Sequence, residues 1–137
     1  MKTSVLNFGK VRSKVREAYL FACKAHTGQK RKRSMQDYII HPIEVHNCLK
    51  QFTDDEDILA AALLHDTVED CDVTFEDIYN KFGGRVAALV GEVTDPMNIR
   101  TKGGLMIKLA DILHNISDRK ATDMYVKKKI RLHFPKG

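Results

Sequence analysis

The sequence predicts an all-α, single-domain helical bundle around a central buried helix that carries a His-Asp pair. Three observations predict it. Apolar residues recur at intervals of three and four nearly throughout, and no run alternates with a period of two for more than a few positions. Only three prolines interrupt a chain of 137 residues, a length that suits one core. Residues 58–64, Ile-Leu-Ala-Ala-Ala-Leu-Leu, are apolar on every side, which a helix tolerates only where neighbours cover it completely. No internal repeat or linker divides the chain, so residues 1–137 are expected to form one domain.

The elements follow in order. Val15, Ala18, Tyr19, Ala22 and Cys23 share one face of a first helix over 11–25, which stops near His26-Thr27-Gly28. A basic loop, Gln29 to Ser34, follows. Pro42 suits the first turn of a second helix, where its missing N–H is not needed, and Ile43, His46, Cys48, Leu49 and Phe52 continue it. Thr53-Asp54-Asp55 caps the central helix, expected from about Glu56 to Asp70. Thr74 with Asp77 forms a capping box in front of Phe75, Ile78, Tyr79 and Phe82. Gly83-Gly84 ends that helix, and Val86, Leu89, Val90 and Val93 mark the next, which Asp95-Pro96 breaks. After a flexible Thr101–Gly104 connection, Leu105 to Ile116 is helical with Leu109, Leu113 and Ile116 apolar; residues 121–132 suit a last basic helix.

Composition narrows the function. No apolar run approaches the roughly 20 residues of a membrane span, and the N-terminus lacks the apolar stretch of a secretory signal, so a cytoplasmic protein with no membrane partner is expected. Cys23, Cys48 and Cys71 are widely spaced without a CxxC pair, which excludes a zinc knuckle and predicts reduced thiols. The net charge of +5 is unevenly spread: residues 1–50 carry 11 Lys/Arg against 3 Asp/Glu, residues 51–99 carry 2 against 12, and residues 100–137 carry 10 against 3. An acidic middle between basic flanks argues against a nucleic-acid binder and for a site holding a cation beside a polyphosphate.

The chemistry is concentrated where the central helix leaves pure hydrocarbon for His65-Asp66-Thr67-Val68-Glu69-Asp70. Unpaired charges at the end of a buried helix would be costly, so these groups need a partner. On a continuous helix His65 shares a face with Glu69, and Asp66 with Asp70, so that the first pair could bind an ion and the second reach its bound water. Two more ligands are best supplied by His41, before Pro42, and Asp111, which interrupts an apolar helix. A His before Pro is more often a plain helix-start residue; the joint pattern of His41, His65, Asp66 and Asp111 is what points to a metal. Nitrogen and oxygen donors without sulfur suit Mn²⁺ ahead of Mg²⁺, Fe²⁺ or Zn²⁺. Asn115, on the face of Asp111, is favoured over His114 as a substrate or supporting contact, and His46 reads as a packed or solvated histidine. The run Lys30–Arg33 would meet phosphates if it lies beside the metal, and is otherwise a solvated loop.

These blocks resemble a known family. His26-Thr27-Gly28-Gln29-Lys30-Arg31-Lys32, Tyr38-Ile39-Ile40-His41-Pro42, Ala60 to Asp70, Phe82-Gly83, Val93-Thr94-Asp95 and Lys108-Leu109-Ala110-Asp111-Ile112-Leu113-His114-Asn115 are similar, in order over about residues 10–119, to the hydrolase domain of RelA/SpoT-homologue proteins. The resemblance implies an HD-superfamily helical fold and Mn²⁺-dependent hydrolysis of the alarmones ppGpp and pppGpp, removing the 3′ pyrophosphate to leave GDP or GTP. By motif position His41, His65, Asp66 and Asp111 would bind the metal, Glu69 and Asp70 would orient or deprotonate the water, and Arg31, Lys32 and Asn115 would hold the nucleotide. With no synthetase or regulatory segment following, the resemblance is to the stand-alone small alarmone hydrolases.

Three departures stand out. Ser34-Met35-Gln36-Asp37, with one extra residue, replaces a Gly- and Pro-containing turn; the pocket segment 96–107 is shortened to twelve residues; and the tail after Asn115 is short. They keep two alternatives open, a phosphohydrolase acting on another phosphorylated nucleotide and a non-catalytic alarmone-binding or interaction domain, and they leave open a homo-oligomer that compensates for the tail.

Overall fold

The computed structural model describes residues 13–32 and 34–119, and among these every regular element is helical. The expected last helix over 121–132 lies outside the described residues. α1 spans Lys14–Ala25, α2 Ile40–Lys50, α3 Glu56–Leu64, α4 Thr67–Asp70, α5 Phe75–Phe82, α6 Gly84–Thr94 and α7 Lys102–Arg119, with a 3-10 turn at Pro96–Asn98 between the last two.

The caps explain the boundaries. Ser13 Oγ accepts from Arg16 N at the start of α1, and Asp55 accepts from Asp57 N and Ile58 N at the start of α3. The capping box predicted at Thr74 and Asp77 is formed in both directions. Gly83, at φ 96°, takes the left-handed conformation between α5 and α6 that a side chain would resist.

α3 is the hub, packed on by α1, α2, α6 and α7. Ile58 to Leu64 are all buried, as their all-round apolar character requires. Val15, Ala18, Ile43, Val45, Val86, Val90 and Ile107 complete the core from the surrounding helices.

Several expectations are corrected. The central helix does not run unbroken to Asp70: it ends at Leu64, and a turn at His65-Asp66 leads into α4. The cause is local competition for backbone carbonyls, since His65 Nδ1 lies 2.7 Å from Ala62 O and Thr67 Oγ1 donates to Leu64 O at 2.8 Å. Phe52 lies past the end of α2 and is exposed rather than packed. In α7 Leu109 and Leu113 face outward, while Gly103, Ile107, Ala110 and Asp111 face the bundle.

The Thr101–Gly104 stretch is ordered, not a flexible connection. Glu92 Oε1 accepts from Arg100 N, Thr101 N and Thr101 Oγ1, and Thr101 Oγ1 in turn accepts from Gly104 N. Gly103 sits against Ile58 and Leu89, and Gly104 against Glu92, so both glycines allow α7 to approach its neighbours closely. The short segment after α6 therefore fixes the start of the helix that carries Asp111.

Candidate metal centre

The break after α3 presents His65 and Asp66 at the end of the hub helix, α2 supplies His41 from its first turn, and α7 supplies Asp111. His41, His65 and Asp111 are buried where these three helices converge. His41 Nε2 lies 2.7 Å from Asp111 Oδ1 and 3.6 Å from Asp66 Oδ2. His65 Nε2 lies 3.1 Å from Asp66 Oδ2 and 3.4 Å from Asp111 Oδ1. Donor atoms of His41, His65 and Asp66 all fall within 4.8 Å of one another. The residues brought together are thus adjacent or distant in sequence, and the pairing of His65 with Glu69 that a continuous helix would give is not what the cluster shows.

The donor chemistry fits a divalent cation. In neutral His65, Nδ1–H donates to Ala62 O, which leaves the lone pair on Nε2; that atom is buried and makes no hydrogen bond. His41 faces the centre with Nε2, while its Nδ1 is 2.7 Å from His114 Nδ1. Each imidazole therefore has its outer nitrogen engaged and its inner nitrogen aimed at the carboxylates, the arrangement that orients metal-binding histidines.

Without a metal the cluster balances its own charge. Burial by itself would lower the His65 pKa, but the Asp66 and Asp111 carboxylates outweigh it and hold the imidazole well above its ordinary value. Asp66, where burial works the other way, is kept well below the usual carboxylate range chiefly by His65. Asp111 is depressed likewise, its burial outweighed by His41 and His65.

Some of the other expected residues touch this centre and some do not. Arg31 is buried, donates from Nη2 to Asn115 Oδ1 at 2.9 Å, and lies with its guanidinium carbon 5.5 Å from the Tyr38 ring centroid. Asn115 Nδ2 donates to Asp111 Oδ1 at 3.1 Å, so Arg31, Asn115 and Asp111 form one chain of contacts. Lys32 is exposed on the basic loop. Glu69 and Asp70 are exposed on α4, one turn beyond the ligands. The Asp70 carboxyl is raised by partial burial and by the charge of Asp66, a shift that suits proton acceptance. His46 is buried against Asn47, away from the centre, as a packed histidine.

Two neighbours of the cluster, Tyr38 and Lys108, were not singled out by spacing, and a third, His114, was ranked second. Tyr38 Oη donates to Asp66 Oδ2 at 2.7 Å, with the His26 ring stacked on it at 4.8 Å. Lys108 Nζ donates to Asp111 Oδ2 at 3.1 Å. His114, placed behind Asn115 from sequence, is the residue that meets His41. A hydroxyl three residues before His41 and an ammonium three before Asp111 were the available signals, each weak without knowledge of which helices meet.

The basic loop reaches the centre as a small hairpin. Arg31 N donates to Gln36 O and Tyr38 N to Gln29 O, both at 2.8 Å, and Gln29 Nε2 donates to Asp70 O at 2.9 Å. The turn closes with Met35 at φ 62°, a left-handed conformation, where Ser34-Met35-Gln36-Asp37 departs from the family pattern.

An all-helical bundle in which the start of α2, the end of α3 and the middle of α7 bring two histidines and two aspartates together has the architecture of an HD domain. The chain belongs to the HD-domain family, whose profile matches residues 18–103. Within it the similarity runs to the RelA/SpoT-homologue branch. The chain is 39% identical over 120 residues to the human guanosine-3′,5′-bis(diphosphate) 3′-pyrophosphohydrolase MESH1, covering 74% of this chain and 67% of that protein. It is 47% identical over 88 residues to the Aquifex aeolicus protein of the same activity name, covering 64% of this chain. That relative is much longer: the chain spans 12% of it, and 11% of a Vibrio cholerae counterpart. Among solved structures, a metazoan ortholog of SpoT that hydrolyzes ppGpp superposes with a TM-score of 0.75 at 30% identity, over 93% of this chain and 89% of that one. No described helix is long and apolar enough to cross a membrane.

Proposed function

We propose that the chain is a metal-dependent hydrolase of guanosine 3′,5′-bis(diphosphate), (p)ppGpp, that releases the 3′ pyrophosphate and leaves GDP or GTP, acting in the cytoplasm. The observation that carries this reading is the convergence of His41, His65, Asp66 and Asp111 with Arg31 and Asn115 at its edge. Those four side chains would hold one divalent ion, and their nitrogen and oxygen donors favour Mn²⁺ over Mg²⁺, Fe²⁺ or Zn²⁺. When bound, such an ion acidifies a water and neutralises phosphate charge.

The protein groups do the rest. Arg31 is placed to leave Asn115 for a phosphate, which its planar fork can grip with two hydrogen bonds, and Lys32 adds a point charge from the loop. Asn115, freed from Arg31, offers its amide to the nucleotide. Glu69 and Asp70 orient the attacking water, and Asp70, with its raised pKa, takes the proton. The water oxygen bonds to the phosphorus attached to the ribose 3′ oxygen, the bond between that phosphorus and that oxygen breaks, and the 3′ oxygen is protonated as pyrophosphate leaves.

Purified protein with Mn²⁺ and ppGpp should yield GDP and pyrophosphate, and Asp66→Ala should lower the rate at least about a thousandfold. Orthophosphate as product, or an active Asp66→Ala variant, would overturn the assignment. The short connection between α6 and α7 favours a second reading, another phosphorylated nucleotide as substrate. A screen over deoxynucleoside triphosphates and phosphorylated dinucleotides separates the two, since only one class should turn over efficiently.

A further inference from the structure

Asp111 uses its two carboxylate oxygens differently. Oδ1 faces the centre, 2.7 Å from His41 Nε2 and 3.4 Å from His65 Nε2. Oδ2 turns away and accepts from Lys108 Nζ at 3.1 Å, an ion pair between two buried side chains one helical turn apart. The neighbours of Lys108 on the inner side of α7, Ile107 and Ala110, are apolar, so an ammonium here is out of keeping with the pattern of its own helix. Packing alone would place a methionine or leucine at this position.

The charge count gives the ammonium a purpose. Two carboxylate ligands and two neutral imidazoles would cancel a divalent ion, so the loaded ligand set by itself would carry no net charge toward a polyanion, with Arg31 standing only at its edge. Lys108 restores one positive charge. It also occupies the outer oxygen of Asp111, so that the carboxylate binds through Oδ1 alone and leaves a position open for water. We propose that Lys108 is a positioning residue that keeps Asp111 a one-oxygen ligand and keeps the loaded centre cationic toward a phosphorylated substrate, at the expense of metal affinity. This rests on the metal-centre reading above and makes a prediction that reading does not.

A residue that merely helps build the site should lower metal affinity and turnover together when removed. Lys108 should separate them, because it repels the ion while assisting the substrate. Metal-free wild-type, Lys108→Met and Lys108→Arg proteins are titrated with Mn²⁺ by calorimetry, and their thermal melts and steady-state kinetics with ppGpp are compared. Lys108→Met should bind Mn²⁺ about tenfold more tightly than wild type, while kcat falls at least about tenfold. Lys108→Arg, which keeps the charge, should return metal affinity toward the wild-type value.

Unchanged or weaker Mn²⁺ binding by a folded Lys108→Met protein overturns the proposal, as does unchanged kcat. Wild-type protein that binds no Mn²⁺ sinks the metal-centre reading itself. Wild-type protein that binds Mn²⁺ but leaves ppGpp intact sinks only the substrate assignment, and the Lys108 proposal then stands or falls on the two dissociation constants.

Discussion

Two carboxylates that burial alone would make poor neighbours raise the pKa of His65, and this sets how the centre responds to pH. Its folded-state pKa lies above the ordinary value of 6.5, so its contribution to the metal-free protein's stability is full below about 6.5 and is lost as pH rises through the raised pKa. Asp66 and Asp111 are depressed below 3.8, so their contribution is full above that value and is lost as pH falls through their folded-state pKa values. The ion-paired cluster therefore stabilises the metal-free fold most between about pH 4 and 6.5. A metal bound through His65 Nε2 would displace a proton from that ring, so Mn²⁺ affinity should rise by about tenfold per pH unit below the raised pKa. Calorimetry in buffers of different ionisation enthalpy should detect one released proton per ion; affinity independent of pH would contradict the assignment of His65. Removing the outer support of His41 should act through the same centre, and His114→Ala is expected to weaken Mn²⁺ binding by about 10- to 100-fold with little change in melting temperature. At this scale the four proposed ligands stood out in sequence because polar residues interrupt apolar runs; Tyr38 did not, because its partner Asp66 lies 28 positions away, and the partner of His114, which ranked behind Asn115, lies 73 positions away. Lys108 is close to Asp111 in sequence, yet an ammonium in a helix reads first as a surface charge.

Among the elements, the break between α3 and α4 matters most, since it turns Asp66 toward His65 and His41. Sequence periodicity predicted one helix because nothing in Leu-Leu-His-Asp-Thr breaks a helix by propensity; the turn comes from Thr67 Oγ1 and His65 Nδ1 bonding the last carbonyls. The caps, in contrast, were legible, because Ser, Asp and Thr at those positions bond the backbone two or three residues on. The hairpin of the basic loop carries a strain that sequence did not reveal. Met35 is largely exposed and sits at φ 62°, so Met35→Gly should stabilise the protein by about 0.5–1 kcal/mol, read as a raised melting temperature. A lowered melting temperature would mean that the Met35 side chain packs usefully. Where α6 meets α7, Glu92 gathers the N–H groups of Arg100 and Thr101 just before α7. Glu92→Ala should cost about 1–2 kcal/mol and Glu92→Gln, which keeps the acceptor, less; equal losses would show that charge and not hydrogen bonding holds the junction.

For the whole molecule, the fold gathers the charges that the sequence keeps apart. The acidic middle supplies Asp66, Glu69 and Asp70, the first basic flank supplies Arg31 and Lys32, and the last supplies Lys108 beside Asp111. The all-α class and the buried hub were legible because period and composition depend on local sequence. The outward Leu109 and Leu113 were not, because the hub claims the opposite side of α7 through Gly103, Ile107 and Ala110. What unites these levels is the proposed ion site at the meeting of α2, α7 and the end of α3. The most direct test is elemental analysis of the protein loaded with Mn²⁺, combined with anomalous scattering from its crystals. One Mn²⁺ per chain, with its anomalous peak among His41, His65, Asp66 and Asp111 and lost in Asp66→Ala, is the expected result. A peak elsewhere, or a full complement of Mn²⁺ in that variant, would contradict the account.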